Sequence, residues 1–229
     1  MNKGAIKLFE KLGKKKFSPK QICEVGVYLP QESNVLHFIK KGISTTLVEA
    51  DPNYMQQCKD YFSDYPKVNY VEAAVYDKKG TIELCRKASS TFISSLDSSP
   101  ALINDGYQVS DEDKFTAKSI TFDEVDNGNI DLLSVDIEGA EWYVIKHMTS
   151  RPPVISLETH GKYYINSKIQ EISAWMAKND YRIWYKDRSD TVYVKQGTFK
   201  ISILENVGLL LTNINLGLIR LKGRIRGKA

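Results

Sequence analysis

Short apolar runs recur along residues 21–158, separated by stretches with helical spacing or polar composition. Such runs predict buried strands, and strands that are apolar throughout are typical of a parallel sheet with helices on both faces. The predicted strands occupy residues 21–29, 45–50, 68–75, 131–136 and 154–158. The sequence therefore predicts an α/β fold with a mostly parallel sheet.

Two further apolar segments, 181–186 and 191–195, follow an amphipathic helix predicted at 169–179. Their short separation predicts a hairpin, which adds one antiparallel edge strand. Residues 87–118 are rich in serine and aspartate and lack periodicity, so we expect a long loop or lid there.

The composition is that of a folded globular protein, with 42% hydrophobic and 26% charged residues. Cys23, Cys58 and Cys85 lie far apart without metal-ligand spacing, which favours free thiols in a reducing compartment. The first residues alternate apolar with charged side chains and so lack the apolar core of a signal peptide. We therefore expect a cytoplasmic protein.

The net charge of +4 is distributed unevenly. Residues 1–20 carry seven lysines and one glutamate, and residues 206–229 carry three arginines, two lysines and no acid. The body between them is acidic, unlike a nucleic-acid-binding domain, so we expect no nucleic-acid partner. The chain divides on this basis into a basic N-terminal helix at 1–20, a central domain at 21–200 and a basic amphipathic C-terminal helix at 201–229.

Both predicted terminal helices carry an apolar stripe beside basic residues. The C-terminal stripe recurs at steps of three and four through Leu204, Val207, Leu211, Ile214, Leu218, Leu221 and Ile225, and the N-terminal stripe comprises Ala5, Leu8, Phe9 and Leu12. The uncharged run 206–219 is too short to span a bilayer. Three interpretations stay open: packing on the central domain, a homodimer seam, or peripheral contact with an anionic membrane surface.

The first and second predicted strands each end in residues suited to a ligand site. The first ends in Glu24 and Gly26, and the second ends in Glu49. Glu49 follows Gly26 by 23 residues, the interval at which a carboxylate can accept hydrogen bonds from ribose hydroxyls. Val27 and Pro30 stand where a dinucleotide fingerprint needs glycine, which argues against a nicotinamide-dependent dehydrogenase.

The fourth predicted strand runs into an acidic turn, VDIEGAE. Asp136 and Glu138 are two residues apart, so they face the same side if the strand continues through both. Gly139 breaks the strand, and Glu141 falls in the first turn of the next helix, where a carboxylate suits the helix dipole. Like charges this close are costly unless a sulfonium, a metal or a donor-rich substrate binds.

Six segments in this order resemble the FkbM-type methyltransferases: EVG (24–26), VEADP (48–52), EAAVYDKKGTIEL (72–84), ITFDEV (120–125), DLLSVDIEGAE (131–141) and ISLETHG (155–161). The resemblance covers roughly residues 21–195. It implies a class I, Rossmann-like enzyme that uses S-adenosylmethionine to methylate hydroxyl groups, often on sugars. The central domain at 21–200 would be the methyltransferase domain.

The resemblance also implies which residues hold the cofactor. Glu24 and Gly26 would hold its methionine end, Glu49 its ribose, and Ala73 or Ala74 with Val75 its adenine edge. The family usually has an aspartate and a second, glycine-containing turn after the first strand, where this chain has a glutamate and VYLP.

Methylation of a hydroxyl requires in-line attack by an alcohol that a base or a metal has activated. Asp136, Glu138 and His160 are the candidate catalytic residues, because each lies at or beyond a strand end on the ligand side. We favour His160 as the general base, oriented by Glu158 or Asp136, because an imidazole ordinarily titrates in the useful range. The alternative, in which the three candidates ligate a divalent cation, is not favoured, since their spacing fits no dedicated metal motif.

The sequence thus predicts an S-adenosylmethionine-dependent O-methyltransferase whose expected acceptor is a sugar hydroxyl in a glycan or glycoconjugate. One alternative is a glycosyltransferase that uses Asp136 and Glu138 as a metal site. Another is a non-catalytic, Rossmann-like binding module. Tyr163 and Tyr164, just past His160, are candidates for a wall that contacts the substrate.

Overall fold

The computed structural model describes residues 3–87 and 90–225. Its strands are β1 (Gln21–Val25), β2 (Ser44–Glu49), β3 (Val68–Glu72), β4 (Ala74–Val75), β5 (Gly80–Lys87), β6 (Ser90–Ile93), β7 (Lys114–Ile120), β8 (Leu132–Val135), β9 (Val154–Glu158), β10 (Tyr181–Lys186) and β11 (Asp190–Lys195). Its α-helices are α1 (Lys3–Lys14), α2 (Leu36–Ile39), α3 (Pro52–Tyr61), α4 (Pro100–Ile103), α5 (Glu141–Lys146), α6 (Ile169–Lys178) and α7 (Ile203–Ile225).

The larger sheet has the strand order β10-β11-β9-β8-β1-β2-β3. Strands β9, β8, β1, β2 and β3 are parallel to their neighbours in this row. Strand β11 runs antiparallel to β9, and β10 runs antiparallel to β11. The predicted α/β fold, with a mostly parallel sheet and an antiparallel edge, is therefore confirmed.

Helices cover both faces of this sheet because alternate strand residues point to opposite sides. In β1, Ile22 packs in a cluster with residues of α1, α2 and α3. The next residue, Cys23, packs in a second cluster with residues of α5 and α6. The central strands are mostly apolar on both faces because each face meets its own helical layer.

A second sheet, with the order β4-β7-β5-β6, was not predicted. Residues 87–118, which we expected to form a long loop, contribute β6, α4 and the first part of β7, so that prediction is wrong for these parts. Strand β6 has only four residues, and β7 mixes exposed with buried positions. Neither strand forms the continuous apolar run from which the other strands were predicted.

The predicted strand 68–75 divides into two strands that belong to different sheets. Strand β3 ends at Glu72, and the two residues of β4 pair with β7. Between the two strands, the amide of Ala73 donates to the carbonyl of Glu49 (3.1 Å). This turn carries small apolar residues across the carboxyl end of β2.

The two terminal helices differ in how their apolar stripes are covered. Leu8 and Leu12 of α1 are buried in the core of the central domain. Helix α7 packs against β10 and buries Leu216, whereas most of its large apolar side chains are exposed. In the part of the chain that the structure describes, no helix combines the length and the apolar character needed to cross a membrane. The predicted boundaries at residues 20 and 200 stay predictions.

Candidate functional site

A cavity of about 330 Å³ opens at the carboxyl ends of β1, β2 and β8. Strands β1 to β3 extend to one side of this point and β8 and β9 to the other, so the cavity lies where the strand order switches. In open α/β sheets, ligands bind at such a switch point, and 300–1,000 Å³ is the usual size of a small-molecule pocket. This is the candidate functional site.

Gly26, the residue after β1, packs closely against Asp136, the residue after β8. Its φ is +82°, a conformation that favours glycine. A β-carbon on this residue would lie 1.8 Å from the carbonyl oxygen of Asp136. The glycine therefore serves a close approach between two backbone segments at the base of the cavity, rather than only leaving room for a ligand.

Glu24 lies in the cavity wall and holds the loop that follows β1. Its carboxyl oxygens accept hydrogen bonds from the hydroxyl of Ser33 (2.6 Å) and from the amide of Asn34 (2.6 Å). Burial raises the pKa of Glu24 to about 8. The family resemblance implies that Glu24 holds the methionine end of a cofactor. Glu24 would do so partly by fixing the loop and partly by direct contact through its carboxyl.

Glu49, at the end of β2, is tied to the same loop. Its Oε2 accepts from the amides of Val27 (2.9 Å) and Tyr28 (3.1 Å), and its Oε1 accepts from the amide of Asp51 (2.8 Å). Each carboxylate oxygen has about two acceptor sites, so Oε1 retains one site for a ligand. This remaining site suits a ribose hydroxyl, the predicted partner of Glu49.

The predicted adenine-contacting residues Ala73, Ala74 and Val75 also line the cavity. All three are buried and supply a small apolar floor. The sequence interpretation missed a further part of the wall, which comes from Thr91, Phe92 and Ile93 of β6. It also missed Tyr28 and Tyr54, whose rings pack edge to face at 4.7 Å at another part of the wall.

The turn VDIEGAE is shaped by Glu141. This carboxylate is fully buried, and its Oε1 accepts from the amides of Ile137 (3.1 Å) and Gly139 (3.1 Å). Its Oε2 accepts a hydrogen bond from the side-chain amide of Asn166. Glu141 therefore fixes the turn that presents Glu138, a role that the helix-dipole interpretation did not include.

Glu138 occupies a strained position in the cavity wall. Its φ is +55°, in the left-handed region that non-glycine residues seldom adopt. Its Oε2 is buried and has no hydrogen-bond partner among the described residues. Burial, reinforced by the nearby Asp136, raises the pKa of Glu138 to about 7. Strain and an unsatisfied carboxylate oxygen in one residue are features of functional sites.

Asp136 directly follows β8 and Glu158 is the last residue of the neighbouring β9, and Val135 of β8 pairs with Leu157 of β9. Burial raises the pKa of both carboxyls, and the charge of Asp136 raises that of Glu158 further. Glu158 Oε2 is buried without a hydrogen-bond partner among the described residues. Two neighbouring buried carboxyls cannot both ionise readily, so one of the two tends to stay protonated.

His160 is buried, and its ring hydrogen-bonds away from these carboxyls. Nδ1 lies 3.1 Å from Thr159 Oγ1, and Nε2 lies 3.2 Å from the carbonyl oxygen of Asp187. Burial lowers its pKa to about 4. The structure therefore brings Asp136 and Glu138 to the cavity wall, whereas that wall does not include His160.

The segment after β9 is held by Asn104 at the end of α4. Its Oδ1 accepts from the amides of Tyr163 (2.9 Å) and Tyr164 (3.1 Å). The Tyr164 side chain is buried, and its hydroxyl has no hydrogen-bond partner within the described residues. That hydroxyl would lie 3.2 Å from a β-carbon on Gly139, beside the acidic turn.

No group of three or more His, Cys, Asp or Glu side chains is arranged to hold a metal ion, within the ranges 3–87 and 90–225. The cysteines Cys23, Cys58 and Cys85 are buried and free.

Solved structures with a similar fold include two methyltransferases. The fold is similar to that of a putative caffeoyl-CoA O-methyltransferase from Staphylococcus aureus, at 12% sequence identity and a TM-score of 0.51, over 83% of this chain and 82% of that one. It is also similar to the methyltransferase PaMTH1 of Podospora anserina, solved with SAH bound, at 11% identity and a TM-score of 0.46, over 84% and 77% of the two chains. A search of curated protein sequences found no match.

The family comparison covers the residues that line the cavity. The model for the methyltransferase FkbM domain matches residues 24–183, which include both the Glu24–Gly26 loop and the VDIEGAE turn. The resemblance drawn from the sequence is thereby confirmed. The chain belongs to the FkbM family of S-adenosylmethionine-dependent methyltransferases.

Proposed function

We propose that this protein transfers a methyl group from S-adenosylmethionine to a hydroxyl of a sugar in a glycan or glycoconjugate. The observation that carries the proposal is Glu138, a carboxylate with a pKa of about 7 and an unsatisfied oxygen in the wall of the cavity. An alcohol needs a base to become a nucleophile, and a base is most effective when its pKa lies near the working pH.

The cavity residues fit the cofactor that the family uses. S-adenosylmethionine, when bound, supplies a methyl group on a positively charged sulfur. Glu49 offers its remaining Oε1 acceptor site to a ribose hydroxyl, and the floor at 73–75 suits an adenine ring. The loop fixed by Glu24 would hold the methionine end, beside carboxyls that favour a positive charge.

Glu138 would take the proton of the attacking hydroxyl on its carboxylate. Its raised pKa of about 7 brings the ionisation of this carboxyl close to neutral pH. Asp136 would act on Glu138 by position and charge, since repulsion between the two carboxylates raises the affinity of Glu138 for a proton. Among our three catalytic candidates, the geometry favours Glu138 as the base: His160 does not line the cavity, and of the two lining carboxyls only Glu138 has an oxygen without a hydrogen-bond partner among the described residues.

A polyhydroxylated acceptor would satisfy polar groups that the chain leaves unpaired. Thr91 Oγ1 and Glu138 Oε2 both belong to residues that line the cavity, and both are buried without a partner in the described structure. A buried polar group without a partner is costly, and neighbouring hydroxyls of a sugar can both donate and accept. This supports a sugar over an acceptor with a single isolated hydroxyl.

The two alternatives read from the sequence have weaker support. A glycosyltransferase would use Asp136 and Glu138 to bind a metal, but the family assignment favours methyl transfer. A non-catalytic binding module would have no use for a base with a pKa near 7. We also propose a cytoplasmic location, supported by the three buried free thiols; cell fractionation tests it.

The test combines cofactor binding with an acceptor screen. We expect S-adenosylhomocysteine to bind in a calorimetric titration, and labelled methyl groups to reach sugar-containing acceptors. Glu138→Gln should abolish most transfer, whereas Glu112→Gln, at an exposed position, should leave it unchanged. Absence of S-adenosylhomocysteine binding would defeat the proposal, and metal-dependent binding of nucleotide sugars would favour the glycosyltransferase.

A further inference from the structure

Helix α7 presents a long apolar face that nothing in the described structure covers. Eight large apolar side chains on it are between 47% and 83% exposed: Ile203, Leu204, Val207, Leu210, Leu211, Ile214, Leu218 and Leu221. Leu216, on another side of the helix, is only 8% exposed and contacts the domain. We call the eight exposed residues the α7 stripe.

The α7 stripe points directly away from the domain. At 3.6 residues per turn, its members fall within an arc of about 120° of the helix circumference. The domain-facing positions, among them Glu205, Thr212 and Leu216, centre on the opposite side of the helix. An arc this wide exceeds the two-column seam of a coiled coil and suits a flat apolar boundary.

The charges on α7 favour an anionic boundary. Glu205 is the only acid of the helix, and its carboxylate pairs with Lys15 (2.6 Å) and Lys11 (3.5 Å) on the domain side. It also accepts a hydrogen bond from the Trp184 indole (2.8 Å). Lys222 is exposed near the other end of the helix, so a cation but no acid borders the stripe. A second copy of α7 would bring no free carboxylate to neutralise Lys222.

We propose that α7 attaches the protein to the surface of an anionic lipid bilayer, with its axis parallel to the membrane plane. The α7 stripe enters the boundary between headgroups and acyl chains, and Lys222 contacts lipid phosphates. The stripe extends about 27 Å, which is ample for attachment along the surface. The proposal rests on exposure and charge alone and does not depend on the acceptor.

The experiment measures binding of the full chain to vesicles by flotation. Vesicles of phosphatidylcholine with 30% phosphatidylglycerol are compared with pure phosphatidylcholine, at low and high salt. The double variant Leu211→Gln/Leu218→Gln removes apolar area from the stripe. Asn213→Ser/Asn215→Ser changes two exposed polar positions of the same helix and is the matched control. Lys222→Glu tests the charge, and light scattering gives the molar mass of each variant without lipid.

We expect wild type and the asparagine control to float with anionic vesicles at low salt. The leucine variant should lose at least about tenfold in partition coefficient, and Lys222→Glu should lose roughly fivefold or more. Equal binding by the leucine variant would overturn the proposal, and so would equal, salt-independent binding to neutral vesicles. A lipid-free dimer that becomes a monomer in the leucine variant, without any vesicle binding, would identify a second copy of the chain as the occupant.

Discussion

A β-carbon on Gly26 would lie 1.8 Å from the carbonyl oxygen of Asp136, so the ends of β1 and β8 can approach each other only with glycine at this position. The contact sets the base of the cavity and orients the acidic turn. The contact therefore connects the loop after β1, which is predicted to hold the cofactor, with the acidic turn that contains the proposed base.

Gly26→Ala should destabilise the protein and abolish binding of S-adenosylhomocysteine. Gly42→Ala is the matched control, because Gly42 also has a positive φ (+73°) but no heavy atom within 4 Å of its β-carbon position. The control should cost about 1 kcal/mol for its backbone conformation alone. Gly26→Ala should cost roughly 1–3 kcal/mol more, because the backbone at Asp136 must move. Urea unfolding compares them; equal costs would contradict the close approach.

The parallel strands could be predicted because their signal is local. Strands β8 and β9 are buried at every position, so each appears in the sequence as a short, mostly apolar run. Strand β7 is held by pairing with β5 and exposes part of its surface. Its stability therefore comes from residues 29 to 39 positions away, for which the sequence shows no local pattern.

The acidic residues of the site could be predicted from the sequence, but their hydrogen-bond partners could not. The order of the motifs placed Glu49, Asp136 and Glu138 at one edge of a sheet. It could not show that Glu141 fixes the turn by contacting Asn166, or that His160 hydrogen-bonds to the carbonyl of Asp187, because these contacts join segments 25 and 27 residues apart. Such tertiary contacts decide which of several plausible carboxylates and imidazoles faces the ligand.

Glu49→Gln should weaken the binding of S-adenosylhomocysteine by at least about tenfold, because hydrogen bonds to a charged group contribute roughly 1.5–3 kcal/mol. The side-chain NH₂ of the introduced glutamine would face backbone N–H donors, either that of Asp51 or those of Val27 and Tyr28, and two donors cannot hydrogen-bond to each other. Glu72→Gln, at the exposed end of β3, is the control and should leave affinity unchanged. Calorimetry measures both, and unchanged affinity in Glu49→Gln would remove Glu49 from the ribose site.

Stability should fall as the pH rises from about 5 to 8. Burial raises the pKa of Glu24 and of Glu141 from 4.5 to about 8, so the folded protein binds more protons than the unfolded chain within this window. Rising pH then favours unfolding, by up to roughly 4 kcal/mol for each carboxyl. Glu24→Gln mimics the protonated acid and should be more stable than wild type at pH 8 but similar at pH 5. Wild-type stability that rises over this range would contradict the burial of ionisable acids.

The turnover number should rise with pH through about 7, because Glu138 must be ionised to accept a proton. Glu138→Gln should lower turnover by about 10²–10⁴-fold, the usual contribution of a general base. Its affinity for S-adenosylhomocysteine should stay within about threefold of wild type, since a base acts on the acceptor rather than on the cofactor. A pH profile that is unchanged in Glu138→Gln would exclude this residue as the base.

His160→Gln separates the two candidate bases. Both ring nitrogens of His160 are engaged, with Thr159 and with the carbonyl of Asp187, and its lowered pKa of about 4 keeps the folded ring neutral at pH values where the unfolded imidazole takes up a proton. Its contribution to stability is therefore complete above about pH 6.5 and is lost as the pH falls towards 4. We expect His160→Gln to lower the free energy of unfolding at pH 8 by about 1–3 kcal/mol, while turnover changes less than about fivefold. A loss of turnover as large as that of Glu138→Gln, together with loss of the rise in turnover through about pH 7, would return the role of base to His160.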